Sequence, residues 1–292
     1  MSSLEYEIVD VFTDRPFAGN PLAVVFGAEG LGGDQMQALA REFNLSETVF
    51  VLPPTDIEAT YRARIFTPET ELPFAGHPSI GAAVTSVRRG RAAAGRLVQE
   101  CGAGLLPIVV SDADSATLTG GTPTLSGQYS PAVLLDVTGL AADDFAGASA
   151  TLTAAGCGLE FVYLPVERRA LARAWAMSDR AARAGISQIS VFAWDSSTRS
   201  AYARVFSPGV SVPEDPATGS AALGLGVWLV ANGWLPGEGT TAYTVHQGYE
   251  MHRPSLLECT VTASGGAATS ATVAGHIVPI AKGQIMVPPF VG

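Results

Sequence analysis

The spacing of apolar residues in the first part of the chain changes from a helical to an extended period. After Asp34, apolar residues recur at helical intervals, which predicts a helix to about Phe43, with Asp34 as its cap and Gln37 at the capping-box position. β-branched and aromatic residues then predict strands at 48–52 and 60–66. A Pro-rich loop follows the second of these strands.

The first half ends with a helix predicted from about His77 to Arg89, with Gly90 as its C-terminal stop. The same order of elements returns in the second half. The second half predicts a helix near 168–184, strands at 188–194 and 200–206, and a helix at 220–232. The chain therefore mixes helices and strands throughout its length.

Three segments of the first half recur in the same order about 140 residues later. The pairs are "NLSETVFV" (44–51) with "GISQISVF" (185–192), "RIFTPETELP" (64–73) with "RVFSPGVSVP" (204–213), and the glycine-bounded run 76–90 with 219–233. A unit of this length is too long for a solenoid repeat, so the pattern predicts two similar domains. Chance similarity between strand–turn–helix units is the alternative.

The domain boundary is predicted within "GQYSPAV" (127–133). The first domain then covers 1–128 and the second 129–275. The closing segment, at about 276–292, is predicted to form a strand or hairpin that returns to the first domain.

Composition excludes several classes of function. The net charge is −10, and no long basic stretch occurs, so binding to nucleic acid or to an anionic membrane is not expected. The N-terminal residues lack a signal-peptide pattern, and the longest apolar run (221–231) is too short to span a bilayer. The 3 cysteines form no C-x-x-C pair and are read as reduced thiols of a cytoplasmic protein.

Signatures of metal and cofactor binding are absent from the sequence. The 4 histidines show no zinc-ligand spacing, and neither a G-x-S-x-G motif nor a P-loop lysine pattern occurs. "GLGVW" (224–228) lies inside an apolar helix, which indicates packing rather than a dinucleotide loop. We therefore expect neither a metal nor an organic cofactor.

Two helices begin directly after a glycine, in "PFAGHPSIGAA" (73–83) and "EDPATGSAALG" (214–224). Unpaired N–H groups at a helix N-terminus attract anions, so these two starts are candidate binding sites for a carboxylate. Structural explanations are also open. Pro78 is typical of the first helical position, and Asp215 is typical of a cap or turn.

Glu47 has unusual neighbours for an acid. It stands between a predicted helix and strand, beside Leu45, Val49 and Phe50. Apolar surroundings raise the pKa of a carboxyl group, which suits it to proton transfer near neutral pH. A carboxylate that accepts hydrogen bonds from nearby backbone N–H groups is the alternative interpretation.

Several of these segments together resemble the phenazine-biosynthesis PhzF-like family. The segments are "VDVFTDRPFAGNPLAVV" (9–25), "NLSETVFV", "RIFTPETELPFAGHPSIGAA", "EDPATGSAALG" and "QGYEMHRPS" (247–255), in which His252 stands where Gly is usual. The resemblance implies the diaminopimelate-epimerase fold, with two similar α/β domains, each a β-barrel-like sheet around a central helix, and an active site between them. It also implies a homodimer.

The resemblance places the family's catalytic glutamate at Glu47, its cleft histidine at His77 and its cleft aspartate at Asp215. It implies substrate-binding roles at the two helix starts, whose residues are Gly76, Pro78, Gly219 and Ser220. Related epimerases and racemases carry a thiol before the glycine of each helix start. Those positions here are Ala75 and Thr218, which disfavours two-thiol racemisation.

The resemblance, together with the setting of Glu47, implies a cofactor-independent isomerase. Glu47 would move a proton between two carbons of a small cyclic amino- or hydroxy-carboxylate, such as a dihydro-hydroxyanthranilate, while His77 and Asp215 position its polar groups. The repeat aligns Glu47 with Gln188, which cannot exchange protons, so a single proton carrier is expected. Two alternatives are a racemase or epimerase of a small acid, and a non-catalytic ligand-binding protein of the same fold.

Overall fold

The structure is a computed structural model that describes residues 3–112, 114–210 and 212–289. Its strands are β1 (Ser3–Val11), β2 (Asn20–Phe26), β3 (Glu47–Leu52), β4 (Tyr61–Phe66), β5 (Glu71–Leu72), β6 (Gly95–Cys101), β7 (Gly104–Asp112), β8 (Ser115–Thr119), β9 (Pro123–Ser126), β10 (Ala154–Cys157), β11 (Glu160–Pro165), β12 (Ile189–Asp195), β13 (Ser200–Ser207), β14 (Val212–Asp215), β15 (Gly239–Gln247), β16 (Ser255–Ser264) and β17 (Ala267–Met286). Its α-helices are α1 (Gly33–Phe43), α2 (Gly76–Arg88), α3 (Pro131–Thr138), α4 (Ser178–Arg183) and α5 (Gly219–Ala231). Short 3₁₀ helices lie at Ala142–Asp144, Arg168–Arg173 and Pro208–Val210.

The chain forms two compact units. The first contains the described residues of 1–119 and 274–292, and the second contains 120–273. β17 ends at Met286, and the last residues of the predicted return strand, 290–292, lie outside the described part of the chain. No helix among the described residues is long and apolar enough to cross a membrane.

Within the described residues of the first unit, eight strands pair in a closed barrel. The order around the barrel is β1, β2, β3, β4, β6, β7, β8 and the C-terminal part of β17, which pairs with β1. Helix α2 packs against seven of these strands, from β1 to β8 without β5, and residues 76–86 of the helix are all buried. The core of this unit therefore surrounds α2.

The second unit repeats the strand pairing of the first. β10–β11, β12–β13 and β15–β16 are antiparallel, whereas β11–β12 and β13–β15 are parallel. The first unit shows this alternation in β1–β2, β2–β3, β3–β4, β4–β6 and β6–β7. α5 takes the place of α2, with every residue from 219 to 230 buried. The expected α+β class with two similar domains, each built around a central helix, is confirmed.

An arginine–glutamate pair closes the hairpin before each central helix. In the first unit, Arg64 on β4 donates two hydrogen bonds of 2.7 Å to Glu71. In the second, Arg204 on β13 donates bonds of 2.8 and 2.7 Å to Glu214. The second pair is buried, and the first is partly exposed. The repeated arginines of the sequence thus fix the loops that lead to α2 and α5.

Two glycines of α5 allow tyrosine rings to pack against its backbone. A Cβ at Gly224 would lie 2.5 Å from the Tyr163 hydroxyl, and one at Gly226 would lie 2.4 Å from the Tyr243 hydroxyl. These hydroxyls donate hydrogen bonds of 2.7 Å to the carbonyls of Ala221 and Ala222, respectively. The "GLGVW" segment therefore serves packing, as its sequence predicts.

The cap of α1 differs from the sequence prediction. Asp34 is not the N-cap, because the helix is capped at Gly32, whose N–H donates to Gln35 Oε1 at 3.1 Å. Gln37 instead donates to the carbonyl of Thr67 at 2.8 Å. The predicted capping pair was wrong by two residues because the helix begins earlier, at Gly33, with Gly32 as its N-cap.

The predicted helix at 168–184 is also wrong. Its N-terminal part is the 3₁₀ helix Arg168–Arg173, and only 178–183 is α-helical. Between them the backbone is extended, and the N–H groups of Trp175 and Met177 donate to the end of α3. The Arg204 guanidinium also binds the carbonyls of Leu171 and Ala174 at 2.8 Å. Tertiary hydrogen bonds therefore override the helix propensity of this Ala-rich segment.

Candidate active site

Glu47 is the first residue of β3, at the joint between α1 and the barrel. Helix α1 ends at Phe43, and its C-cap Asn44, with a φ of 50°, turns the chain towards the strand. In the parallel β2–β3 pair, Glu47 lies opposite Leu22. The Glu47 side chain is only 15% exposed. Glu47 is therefore mostly shielded from solvent, at the predicted joint between a helix and a strand.

His77 lies against Glu47 from the first turn of α2. The imidazole is 4% exposed, and its Nε2 is 3.4 Å from Glu47 Oε2. Burial lowers the pKa of His77 to about 3. The positive end of the helix dipole also disfavours a cation at this position. The imidazole is therefore neutral at physiological pH, and its contact with Glu47 is polar rather than a salt bridge.

A short chain of hydrogen bonds holds the other side of the His77 ring. Ser46 Oγ donates to Asn20 Oδ1 at 2.9 Å, and Asn20 Nδ2 lies 3.2 Å from His77 Nδ1. Asn20 is fully buried at the start of β2. Glu47 and His77 thus belong to a connected polar cluster inside an otherwise apolar unit.

A second buried chain fixes the start of α2. Tyr61 donates to Gln99 Oε1 at 3.0 Å, and Gln99 Nε2 donates to Ser79 Oγ at 2.8 Å. The Ser79 hydroxyl in turn donates to the carbonyl of Ala75 at 2.8 Å, one residue before the helix begins at Gly76. Pro78 is the third helical residue, where its missing N–H costs no helical hydrogen bond. The backbone next to His77 is therefore held in place.

The corresponding position of the second unit has its own polar cluster. Thr218, the N-cap of α5, donates from Oγ1 to Asp215 Oδ2 at 2.5 Å. Gln247, the last residue of β15, donates to the carbonyl of Asp215 at 2.7 Å and accepts from the Thr218 N–H at 3.2 Å. The helix then begins with Gly219 and Ser220, both buried. Asp215 therefore lies at the N-terminus of α5, as the sequence predicts.

The turn after Gln247 explains how a histidine replaces the usual glycine. His252 has a φ of 56°, and its N–H donates to the carbonyl of Tyr249 at 3.1 Å. Gly248, with a φ of 77°, has the carbonyl of Arg253 only 2.3 Å from the position of a Cβ. His252 therefore adopts the left-handed backbone conformation that a glycine would adopt more easily at this turn.

The three cysteines are remote from both clusters in sequence, and their raised pKa values keep them in the unreactive thiol form. Burial raises the pKa of Cys157 and Cys259, and Cys101 also has a raised pKa, for the same reason. Among the described residues, no group of three or more His, Cys, Asp and Glu side chains could hold a metal ion.

The structure brings together Glu47, His77, Gly76 and Pro78 in one unit, and Asp215, Gly219 and Ser220 in the other. Sequence reasoning did not assign roles to Asn20, Ser46, Thr218 or Gln247, which complete the two clusters. The sequence could have drawn attention to Asn20, though not to its partner, because an amide at the start of an apolar strand needs buried hydrogen-bond partners.

The chain is similar to a known protein family along most of its length. The family model described as phenazine biosynthesis-like protein, PhzC-PhzF, matches residues 9–283. An uncharacterized isomerase of Mesorhizobium japonicum is 35% identical over 98% of this chain and 100% of its own length. Trans-2,3-dihydro-3-hydroxyanthranilate isomerase of Pseudomonas aeruginosa is 33% identical over 96% of this chain and 98% of its own.

A solved structure is similar to this chain in fold and in sequence. The predicted epimerase PA4716 of Pseudomonas aeruginosa has a TM-score of 0.81 and 31% identity, and the match covers 98% of this chain and 100% of that one. The family model covers nearly the whole chain, and the two relatives match over 98–100% of their own length. The chain therefore belongs to the PhzC-PhzF family of phenazine biosynthesis-like proteins.

Proposed function

We propose that this protein is an isomerase that moves a proton between two carbons of a small cyclic amino- or hydroxy-carboxylate. The observation that carries the proposal is the contact between the mostly buried carboxylate of Glu47 and the neutral imidazole of His77. A dihydro-hydroxyanthranilate is the first compound to try, because a relative of 33% identity is named as an isomerase of that compound.

Glu47 is the proposed proton carrier. A carbon next to a diene or carbonyl group has an acidified C–H, and a carboxylate within hydrogen-bonding reach can remove its proton and return it to another carbon. The neutral ring of His77 cannot supply a positive charge, and its proposed role is to position a polar group of the substrate beside Glu47. The reaction moves a proton and transfers no electrons, so it calls for no redox cofactor.

The two helix starts are the proposed anchors for the substrate. The backbone N–H groups of Gly76, Gly219 and Ser220 lie in the first turns of α2 and α5, and Pro78 shapes the first of these turns. A helix N-terminus stabilises an anion by about 0.3–1 kcal/mol when exposed. Asp215 is the proposed acceptor for a substrate amino or hydroxyl group. The family resemblance further supports a homodimer, and the reduced cysteines support a cytoplasmic location.

A racemase or epimerase of a small acid is the second candidate, because the similar Pseudomonas aeruginosa structure is described as a predicted epimerase. Two-base racemisation needs a second proton carrier. Gln188, Ala75 and Thr218 occupy the positions where the repeat and the related racemases would supply one. A single carboxyl delivers the proton to the face from which it was taken, so inversion at the exchanging carbon would favour the second candidate.

Exchange of substrate hydrogen with solvent tests the proposal. Trans-2,3-dihydro-3-hydroxyanthranilate and a panel of cyclic amino- and hydroxy-carboxylates are incubated with the protein in deuterated water and followed by NMR. We expect one class of compound to exchange a ring hydrogen and to change the position of a double bond. Binding without any exchange would identify a non-catalytic binding protein and would overturn the proposal.

A further inference from the structure

We propose that Asn20 is a positioning residue that holds His77 in the tautomer with its proton on Nε2, so that an N–H faces the Glu47 carboxylate. The inference about the tautomer stands on the hydrogen-bond chain Ser46–Asn20–His77. Its consequence for catalysis rests on the proposed function.

The first step is the orientation of the Asn20 amide. Ser46 Oγ donates to Asn20 Oδ1 at 2.9 Å, which places the carbonyl end of the amide towards the serine. The amino end, Nδ2, then lies 3.2 Å from His77 Nδ1. An amide nitrogen only donates, so His77 Nδ1 must accept this bond with a lone pair.

The second step is the position of the ring proton. A neutral imidazole carries one N–H, and the burial that lowers the pKa of His77 keeps the ring neutral. Because Nδ1 accepts from Asn20, the proton is on Nε2, which lies 3.4 Å from Glu47 Oε2 without a hydrogen bond between the two atoms. In the opposite tautomer a lone pair would face the carboxylate and repel it.

The backbone around Asn20 is built to place this amide. The preceding Gly19 has a φ of 66°, and a Cβ there would lie 2.3 Å from the carbonyl of Val11. Asn20 itself pairs with Val11 at the end of the β1–β2 ladder. The tight turn and the strand register together bring a fully buried amide to the His77 ring.

The tautomer has a chemical consequence for Glu47. The Nε2–H makes no hydrogen bond to Glu47 Oε2 in this structure, but its partial positive charge 3.4 Å away favours the ionised form of the carboxylate, which is the form that accepts a proton. The same tautomer prevents His77 from acting as a base, because its lone pair is already engaged by Asn20. Asn20 therefore leaves Glu47 as the proton carrier of this cluster.

Nitrogen-15 NMR of the wild-type protein, labelled in histidine, tests the tautomer without any substrate. The spectrum of a His77→Gln variant identifies the His77 signals among those of the 4 histidines. At pH 7 we expect an unprotonated Nδ1 and a protonated Nε2. A protonated Nδ1, or a doubly protonated ring, would overturn the inference.

Variants then test the positioning role. Asn20→Asp keeps the size of the side chain but replaces the donor by an acceptor, and we expect the His77 proton to move to Nδ1 and kcat to fall at least about tenfold with KM changed less. Ser46→Ala should weaken the Nε2–H preference, whereas Ser46→Thr, which keeps the hydroxyl, should preserve it. An Asn20→Asp variant that folds and keeps both the wild-type tautomer and wild-type kcat would contradict the inference.

The outcomes separate the tautomer from the proposed function. If Glu47 proves not to carry the proton, the wild-type spectrum still decides whether Asn20 sets the His77 tautomer. If the spectrum shows a protonated Nδ1, the positioning role fails even when the protein is an isomerase that depends on Glu47.

Discussion

His77 Nε2 lies 3.4 Å from Glu47 Oε2, and both side chains are largely withdrawn from solvent. A carboxyl group beside a neutral imidazole, both largely buried, is a combination that folding stability alone does not favour, because each polar group must be desolvated. Such groups are concentrated at functional sites. The pair is therefore the centre of the chemistry proposed for this protein, and it also has consequences for stability.

Burial of neutral His77 makes stability depend on pH. The pKa of this side chain is lowered from 6.5 to about 3 in the folded protein, so between these values the unfolded chain binds a proton that the folded chain does not. The free energy of unfolding should therefore fall as the pH drops from about 6.5 towards 3, with up to about 1.4 kcal/mol per pH unit from this residue.

Denaturant titrations at several pH values measure this dependence. His77→Gln should show a shallower loss of stability over that range than the wild type. His276→Gln, at a half-exposed histidine, is the matched control and should behave as the wild type. Equal slopes in the wild type and His77→Gln would contradict the burial of a neutral ring.

The glycines of α5 make a prediction about packing. Gly226→Ala places a Cβ only 2.4 Å from the Tyr243 hydroxyl oxygen, so we expect a loss of about 1–3 kcal/mol in the free energy of unfolding. Gly30→Ala is the control, because no heavy atom lies within 4 Å of a Cβ at that position, and it should change stability little. Chemical denaturation measures the free energy of unfolding of both variants. Equal values for Gly226→Ala and Gly30→Ala would contradict the close packing of Tyr243 against α5.

The two arginine–glutamate pairs should differ in their effect on stability. Arg204→Met leaves Glu214 buried without its partner and should cost about 3–5 kcal/mol. Arg64→Met breaks the more exposed pair and should cost about 1 kcal/mol or less. Similar losses in the two variants, measured by the same unfolding assay, would show that burial does not distinguish the pairs.

His252 offers a test of backbone strain. Its φ of 56° is costly for a β-branched residue and free of steric cost for glycine. We expect His252→Gly to be at least as stable as the wild type and His252→Val to lose about 1–2 kcal/mol. His252→Gly should therefore melt several degrees above His252→Val. The reverse order would contradict the turn geometry.

Much of the fold could be predicted from the sequence because local and tertiary preferences agree there. β3 and α5 lie within one residue of their predicted ranges at each end, and α2 does so too, since strong apolar runs are bounded by Asn44, Gly90 and Gly233. The 168–184 helix failed because backbone groups around Ala174 bond to distant elements, which no local pattern records.

The candidate site could be predicted only in part. Glu47 and His77 could be named from their motifs, and the structure brings them into contact. The role of Asn20 could not be named, because it depends on the distance between a strand end and a helix start that are 57 residues apart. Hydrogen-bond direction within a buried cluster is a property of the folded chain rather than of any segment.

The most direct test of the proton-carrier role is the rate of deuterium incorporation at the exchanging carbon, measured by NMR for the wild type and Glu47→Gln with the compound that the wild type turns over. Glu42→Gln, at an exposed acid in the last turn of α1, is the matched control. We expect the control to match the wild type and Glu47→Gln to fold and bind normally while exchange falls by at least about 100-fold. Exchange by a folded Glu47→Gln at a rate close to that of the wild type would contradict the assignment of Glu47.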